Sequence, residues 1–119
     1  MIAVARRYGH ALDTEDWDTA RSLLDPDVEV VRPSGRRYRG AERWIGMISA
    51  QGGFQSIDTA VEGRDYEQRN GRVVETQEIV HRWRETGEVA YTSRERTTMT
   101  IRDGRIARLE SEVVHRAPS

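Results

Sequence analysis

The chain has 119 residues, of which 33% are charged, a net charge of -1 and a mean hydropathy of -0.77. This length suits a single domain over residues 1–119 with one modest core. The composition excludes a membrane-spanning protein, because no apolar run approaches the ~20 residues that a spanning helix needs. A near-neutral charge gives no broad basic field for nucleic acid. We therefore expect neither a membrane nor a nucleic acid as a partner.

Two missing residue types limit the chemistry further. The sequence has no cysteine, which excludes disulfides, thiolate metal ligands and cysteine nucleophiles. All 19 basic residues are arginine, so Schiff-base chemistry on a lysine is impossible. No signal-peptide pattern follows Met1. Together with the lack of cysteine, this predicts a cytoplasmic location.

The first half of the chain carries the spacing of three helices. Apolar residues recur at helical intervals in 2–12, 15–24 and 41–50, as in helices that bury one stripe. Asp13 or Thr14 is placed to cap the second helix. The predicted buried stripes are Val4, Tyr8 and Leu12 in the first helix, Trp17, Ala20, Leu23 and Leu24 in the second, and Trp44, Ile45 and Ile48 in the third.

The remaining segments are rich in Val, Ile, Thr, Tyr and Trp, which favours strands. The predicted strands are 28–32, 36–39, 54–68, 72–85, 88–102 and 105–116. Two helices, two short strands, a third helix and four strands in this order indicate an α+β domain, with helices on one face of a curved sheet.

The two turns between the last three strands decide which side chains share a face. A two-residue Thr86-Gly87 turn would put a positive φ on a β-branched residue, which is costly. A three-residue loop over 85–87, closed by a left-handed glycine, avoids that strain, and the same loop is available at 102–104. We therefore predict three-residue loops at both hairpins.

This register sets the cross-strand rows. It places Gln77, Glu95 and Ser111 in one row, Glu75, Thr97 and Leu109 in a second, and His81, Tyr91 and His115 in a third. Two-residue loops would instead stack Glu78, Glu95 and Glu112, and like charges directly opposite are destabilising.

The same register separates an inner from an outer face, and a slip of one residue would exchange them. The predicted inner face carries Val73, Glu75, Gln77, Ile79, His81 and Trp83, then Val89, Tyr91, Ser93, Glu95, Thr97, Met99 and Ile101, then Ala107, Leu109, Ser111, Val113 and His115. The predicted outer face is charged, with Glu78, Arg82, Arg84, Glu88, Arg94, Arg96, Arg108, Glu110, Glu112 and Arg116.

The order of elements, with RYGHAL in the first helix, WDTARSLLDPDVEV in the second helix and first strand, and RDGRIARL in the last hairpin, resembles the nuclear transport factor 2-like superfamily. Over residues 4–114 the chain looks most like the SnoaL-like and ketosteroid isomerase-like branch. The resemblance implies a cone: a strongly bent, mostly antiparallel sheet wrapped around three N-terminal helices and enclosing a mostly apolar pocket.

Ketosteroid isomerase residues carry over only in part. The resemblance places Tyr8 at the position of the tyrosine that donates to the developing oxyanion, and Thr97 at that of the second donor. The family's base precedes a proline, where this chain has Arg32 ahead of Pro33. Because an arginine cannot act as the base, the usual steroid-isomerising apparatus is not expected.

Two other branches of the superfamily were compared in the same way. Limonene epoxide hydrolases use an arginine between two aspartates, one of them on the last strand, where Ser111 stands here. SnoaL-like cyclases carry an acidic residue on a pocket-facing strand, which Glu95 or Glu75 could supply. The resemblance thus leaves the class of enzyme open.

Glu95 is the main candidate for a catalytic base. A carboxylate in an apolar pocket has a raised pKa and can accept a proton near neutrality. Glu95 is predicted to lie between Gln77 and Ser111, within reach of Tyr8. The alternative is that Glu95 pairs with Arg32 and only satisfies a charge in the core.

His81 is a further candidate as a donor in the pocket. Its predicted row with Tyr91 and His115 also suggests an acid–base or metal pair, but two ligands without a third do not make a zinc site, and no metal is predicted. His10 lies off the first helix stripe and is expected to face water. The three tryptophans, Trp17, Trp44 and Trp83, are expected in the core or pocket wall.

We therefore predict acid–base catalysis, without a cofactor, on a small apolar molecule of polyketide or terpenoid type, by cyclisation, isomerisation or hydrolysis. The predicted catalytic residues are Glu95, Tyr8 and His81. The predicted pocket-lining residues are Trp17, Arg32, Trp44, Glu75, Gln77, Ile79, Trp83, Tyr91, Thr97, Met99, Leu109, Ser111 and Val113. The alternative function is a non-catalytic module for ligand binding or dimeric assembly.

The outer face of the sheet also predicts a homodimer. Its arginines and glutamates alternate around Val74, Val80, Ala90 and Val114, and a self-complementary patch of this kind suits a two-fold interface. Family members commonly pair through this sheet, so the resemblance points to the same surface.

Overall fold

The computed structural model describes residues 1–50 and 57–118. Their helices and strands, in chain order, are α1 (Ile2–Asp13), α2 (Trp17–Ser22), β1 (Leu24–Val31), β2 (Arg37–Arg39), α3 (Ala41–Ser49), β3 (Ile57–Arg69), β4 (Arg72–Trp83), β5 (Val89–Arg102) and β6 (Arg105–Pro118). In these parts of the chain, no helix is long and apolar enough to cross a membrane. The first residues of the predicted strand 54–68 lie outside the described residues.

The predicted α+β fold is confirmed. One sheet has the strand order β2-β1-β6-β5-β4-β3, in which only the β1–β6 pair is parallel. The core lies between this sheet and the helices, with Ala5 and Tyr8 from α1, Ile45 from α3, and Val30 and Met99 from the sheet all buried. Helices on one face of a mostly antiparallel sheet bury one side of each strand.

The cap predicted for α2 at Asp13 or Thr14 is wrong. The helix begins at Trp17, and its N-cap is Asp16, whose carboxylate accepts a hydrogen bond from the Thr19 amide at 3.2 Å. Thr14 instead closes α1, since its hydroxyl donates to the His10 carbonyl at 2.9 Å. An aspartate is as good an N-cap as a threonine, so the local signals could not separate these positions.

The predicted register between β4 and β5 is confirmed, with Gln77 opposite Glu95 and His81 opposite Tyr91. The predicted three-residue loop is wrong. The Gly87 amide donates to the Trp83 carbonyl at 2.7 Å, which closes a loop of residues 84–87. A register shift next to His81 compensates for the longer loop.

The predicted register between β5 and β6 is wrong, by two residues from Glu95 to Thr100 and by three residues from Tyr91 to Arg94. Glu95 lies opposite Val113, and Thr97 lies opposite Ser111. Asp103 and Gly104 form a two-residue turn with φ of 54° and 76°, which adds one residue to the offset. A bulge in β6, where Ala107 is an extra residue between the Thr100–Arg108 and Ile101–Ile106 pairs, adds the second.

Because two one-residue shifts add up, the side chains from Arg108 to Val113 keep the predicted face. A further shift between Arg94 and Glu95 makes Val114 an extra residue. As a result Arg116, predicted on the outer face, lies opposite the buried Ser93, and His115, predicted on the inner face, lies opposite Arg94. Leu109 and Ser111 are buried as expected. Ile106 is fully buried, whereas Ala107, which was predicted on the inner face, is the extra residue of the bulge and is only partly buried. The third predicted row does not form, because Tyr91 lies opposite Pro118 and the exposed His115 lies opposite Arg94.

A bulge in β3 moves two long side chains to the helix-facing side of the sheet. Val61 pairs with Ile79 and Gly63 with Glu78, so Glu62 is an extra residue. After this bulge, Arg64 lies opposite Gln77, and Tyr66 lies opposite Glu75. Bulges of this kind re-aim side chains at sheet edges, and β3 is an edge strand.

Gly9 of α1 makes room for this part of β3. A methyl group at Gly9 would overlap the Tyr66 hydroxyl and lie 3.2 Å from both Arg64 Cδ and Glu75 Oε2. We expect Gly9→Ala to lower the free energy of unfolding by about 1–3 kcal/mol, the usual cost of overpacking, as measured by urea denaturation.

Gly46 in α3 is the matched control for this substitution. A methyl group there has no atom of the described residues within 4 Å, so Gly46→Ala should raise stability by roughly 0.4–1 kcal/mol. A Gly9→Ala protein as stable as the Gly46→Ala protein would show that Tyr66 does not need to approach the helix backbone.

Candidate functional site

A cavity of about 290 Å³ lies between the helices and the helix-facing side of the sheet. This volume is at the lower end of the roughly 300–1,000 Å³ of small-molecule sites. Of the residues predicted to be catalytic or pocket-lining, those on its wall are Tyr8, Trp17, Arg32, Trp44, Glu75, Gln77, Ile79, Glu95, Thr97, Met99, Leu109 and Ser111. Long-range packing therefore brings together side chains from α1, α2, α3, β4, β5 and β6 with Arg32, which directly follows β1.

Four of the predicted site residues lie elsewhere. Trp83, at the end of β4, is 46% exposed, and Val113 is 40% exposed in an open groove beside the cavity. His81 is buried behind the wall, and the Tyr91 ring stacks on it at 4.0 Å between centroids. These four side chains do not line the cavity.

Glu95 lies at the boundary between the cavity and the groove. Its side chain is 16% exposed, and its carboxylate is 4.0 Å from Arg32 Nη2. The Arg32 guanidinium in turn lies over the Trp44 ring, 5.4 Å from the ring centroid. Among the described residues, no group donates a hydrogen bond to the Glu95 carboxylate, which leaves its oxygens open to the cavity.

Tyr8 is a hydrogen-bond donor held in place by Trp44. The indole Nε1–H donates to the Tyr8 hydroxyl oxygen at 2.9 Å, so the hydroxyl proton is directed to another acceptor. Burial raises the pKa of Tyr8 to about 12, despite the hydrogen bond from Trp44, which lowers it. The phenol therefore stays protonated at neutral pH and can donate to an oxygen in the cavity.

A second carboxylate, Glu75, is held by an ion network that the sequence did not reveal. Arg64 Nη1 donates to Glu75 at 3.1 Å, while its Nη2 donates to Asp13 at 2.7 Å. Gln77 Nε2 donates to the other Glu75 oxygen. Burial and the neighbouring Glu75 charge raise the pKa of Tyr66.

Arg64 and Tyr66 could not be predicted as site residues from strand alternation because of the bulge in β3. Strict alternation along the strand would place them on the face of Glu62, which is exposed. The available signal was Gly63, because an isolated glycine inside a strand pattern often marks a bulge.

Both ring nitrogens of His81 have hydroxyl partners. Nδ1 lies 3.0 Å from Thr59 Oγ1, and Nε2 lies 3.0 Å from Ser93 Oγ. Burial lowers the pKa of His81, opposed by the charge of Glu95, which favours the neutral ring. His81 therefore braces three strands. Among the described residues, no group of three or more His, Cys, Asp or Glu could hold a metal ion.

Thr97 and Ser111, where the resemblance places functional residues of other enzymes, are hydrogen-bond partners of each other. Thr97 Oγ1 and Ser111 Oγ are hydrogen-bonded at 2.8 Å, and both side chains are buried. Neither residue can reproduce the acidic group that stands there in the compared enzymes. The acid–base groups that remain on the cavity wall are therefore Glu95, Glu75 and Tyr8.

Solved structures with the same fold come from bacteria of several kinds. A candidate polyketide cyclase from Xanthomonas campestris is 18% identical, with a TM-score of 0.78 over 93% of this chain and 87% of that one. A candidate ketosteroid isomerase from Kribbella flavida is 16% identical, with a TM-score of 0.74 over 95% and 76%. An LEH-like epoxide hydrolase from M. tuberculosis is 17% identical, with a TM-score of 0.70 over 94% and 80%.

These likenesses establish the fold, since all three structures are less than 25% identical to this chain. No curated protein matches the sequence. Residues 5–109 match the SnoaL-like domain, which is most of the chain and includes Tyr8 and Glu95. The chain therefore belongs to the SnoaL-like family of the nuclear transport factor 2-like superfamily.

Proposed function

We propose that this protein is a cofactor-independent acid–base enzyme acting on a small, mostly apolar, carbonyl-bearing molecule of polyketide or terpenoid type. The observation that supports this most is that Glu95 and Tyr8 line the same cavity. The Glu95 carboxylate receives no hydrogen bond from the described residues, and the Tyr8 hydroxyl proton is free to donate. A base and an oxyanion donor facing one apolar space are the minimum for abstracting a proton beside a carbonyl.

In the proposed reaction, Glu95 removes a proton from the carbon next to the carbonyl. The electron pair of that C–H bond moves into the carbonyl, and Tyr8 donates a hydrogen bond to the oxygen as it becomes negative. The enolate then takes the proton back from Glu95 at another carbon, which is isomerisation. Alternatively its carbon attacks a second carbonyl, whose oxygen takes the proton from Glu95 as the new C–C bond forms, which is cyclisation. Arg32 holds the carboxylate at the cavity boundary.

Glu75 is the weaker candidate for the base. It is 1% exposed and accepts hydrogen bonds from Arg64 and Gln77. Each of its two oxygens already accepts a hydrogen bond, one from Arg64 and one from Gln77, which leaves Glu75 less available to a ligand than Glu95. We assign to Glu75 the role of orienting Gln77 and Arg64 on the cavity wall.

Exchange of α-protons for deuterium tests this function without knowledge of the natural substrate. The protein is incubated in D₂O with 2-acetylnaphthalene, a small apolar methyl ketone, and loss of the methyl signal is followed by NMR. Exchange faster than in buffer containing an equal concentration of carboxylate supports the proposal. Binding of the ketone without added exchange would contradict it.

The second candidate function is non-catalytic ligand binding in the same cavity. It is favoured by Arg32, which stands where the family comparison expects a base and which faces Glu95 at 4.0 Å. In this case the ketone would bind with no exchange, and replacing Glu95 would alter affinity alone. The NMR experiment therefore separates the two functions in one sample.

We also propose a homodimer through the outer sheet face. Its charges alternate in cross-strand pairs, such as Arg94 with Glu78 at 2.6 Å and Arg96 with Glu112 at 3.1 Å, and Val114 beside them is 42% exposed. We expect sedimentation at roughly 50 μM to give the mass of two chains, since isologous interfaces are the commonest kind. Finding only the mass of one chain at that concentration would contradict the proposed dimer.

A further inference from the structure

An open groove adjoins the cavity and is called here the mouth groove. It is lined by Arg32, Arg36, Tyr38, Glu95, Val113 and Arg116, with Pro33 and Ser34 at one side. The groove and the cavity share Arg32 and Glu95. A molecule seated in the cavity therefore reaches the groove at these two residues.

The mouth groove carries an excess of positive charge. Three guanidinium groups face it, with Glu95 as the only acidic side chain on its described wall. The Arg32–Glu95 distance of 4.0 Å contrasts with 2.6 to 3.1 Å for the other ion pairs of the described residues. Within those residues, neither Arg36 nor Arg116 has a carboxylate within 4.0 Å.

Two of these guanidinium groups are held by aromatic rings. Arg116 lies over the Tyr91 ring at 5.3 Å, and Arg32 lies over the Trp44 ring at 5.4 Å. A guanidinium stacked on a ring keeps its N–H groups in its own plane, where they remain free to bind an anion. The stacking also lowers the entropy lost when an anion is bound.

We propose that the mouth groove binds a carboxylate group of the ligand while the apolar body of the ligand fills the cavity. This inference rests on the proposed function of the cavity and narrows its substrate class to small apolar keto acids. Arginine is the residue best matched to the planar carboxylate, because its donors form two parallel hydrogen bonds with it. A cleft lined by one sign of charge also raises the local concentration of an anion.

The placement of the polar groups agrees with this substrate class. Tyr8 can donate to a ketone oxygen on the cavity wall, while the arginines lie at the groove. Glu95 lies at the boundary between them, next to the carbon atoms that separate the two functional groups. Binding the carboxylate to arginine would also offset its repulsion from the charge of Glu95.

Isothermal titration calorimetry with a matched pair of probes tests the mouth groove. The probes are 2-naphthoate, which carries the carboxylate, and 2-acetylnaphthalene, which is neutral and of similar size. We expect naphthoate to bind more tightly, with Arg36→Gln and Arg116→Gln each weakening its binding by roughly tenfold, the effect of a hydrogen bond to a charged group. Both variants should bind the ketone as the unmodified protein does.

Arg105→Gln is the control, because it removes the same charge from an exposed residue at the other end of β6. The preference for naphthoate should also shrink in high salt, since the arginines are solvent-accessible. Equal binding of both probes, or an equal loss in Arg105→Gln, would overturn the inference and leave the cavity proposal standing. If neither probe binds, the cavity proposal fails and the inference fails with it.

Discussion

Replacing Glu95 by glutamine is expected to slow α-proton exchange by about 10²–10⁴-fold, the usual contribution of a general base. The amide has nearly the shape of the carboxylate but cannot accept the proton. Because Glu95 receives no hydrogen bond from the described residues and is 16% exposed at its side chain, the substitution leaves no other group without a close partner. The fold should therefore remain intact, as measured by circular dichroism and urea denaturation.

Glu42→Gln is the matched control for this experiment. Glu42 lies on α3, 82% exposed at its side chain and paired with Arg21, and its replacement should leave exchange unchanged. If Glu95→Gln instead lowers stability but leaves exchange unchanged, Glu95 serves as the ion-pair partner of Arg32 and is not the base.

Replacing Arg64 by methionine should lower the free energy of unfolding by about 3–5 kcal/mol, the cost of breaking a buried ion pair from one side. Arg64 is 11% exposed and Glu75 is 2% exposed at their side chains. Without the guanidinium, the Glu75 charge would be buried with Gln77 as its close side-chain donor. Equilibrium urea denaturation of the unmodified and variant proteins measures the difference.

Arg69→Met provides the comparison with a surface pair. Arg69 and Glu67 are both 59% exposed at their side chains, and such pairs contribute little to stability. Adding Glu75→Gln to the Arg64→Met protein should restore much of the lost stability, because it removes the stranded charge. A loss that persists in the double variant would trace the effect to packing of the Arg64 stem.

The residues at the turns predicted the offset between strands less well than the alternating pattern predicted the strands themselves. At 102–104, the residues allowed either a two-residue or a three-residue turn, and the structure has the two-residue form with Asp103 in the left-handed region. Aspartate tolerates that conformation better than most residues. Local preference therefore could not set the offset between β5 and β6.

The positions of the polar side chains in the cavity depended on bulges. Arg64 and Tyr66 reach the cavity side because Glu62 is an extra residue in β3, and Ile106 is buried because Ala107 is an extra residue in β6. A bulge forms where a bent sheet must fit the helices it covers, which is a property of the packed molecule. Apart from Gly63, which can mark the bulge in β3, no short window of the sequence contains that information.

The sequence by itself determined the order of helices and strands, the α+β class, the pairing of Gln77 with Glu95, and the separation of a charged outer face from an inner face. These follow from the two-residue period of strands and the 3.6-residue period of helices. The tertiary structure alone decided the β5–β6 offset, the Asp13–Arg64–Glu75 network and the distance between Glu95 and Arg32. Each of these depends on residues distant in sequence that meet only when the sheet closes over the helices.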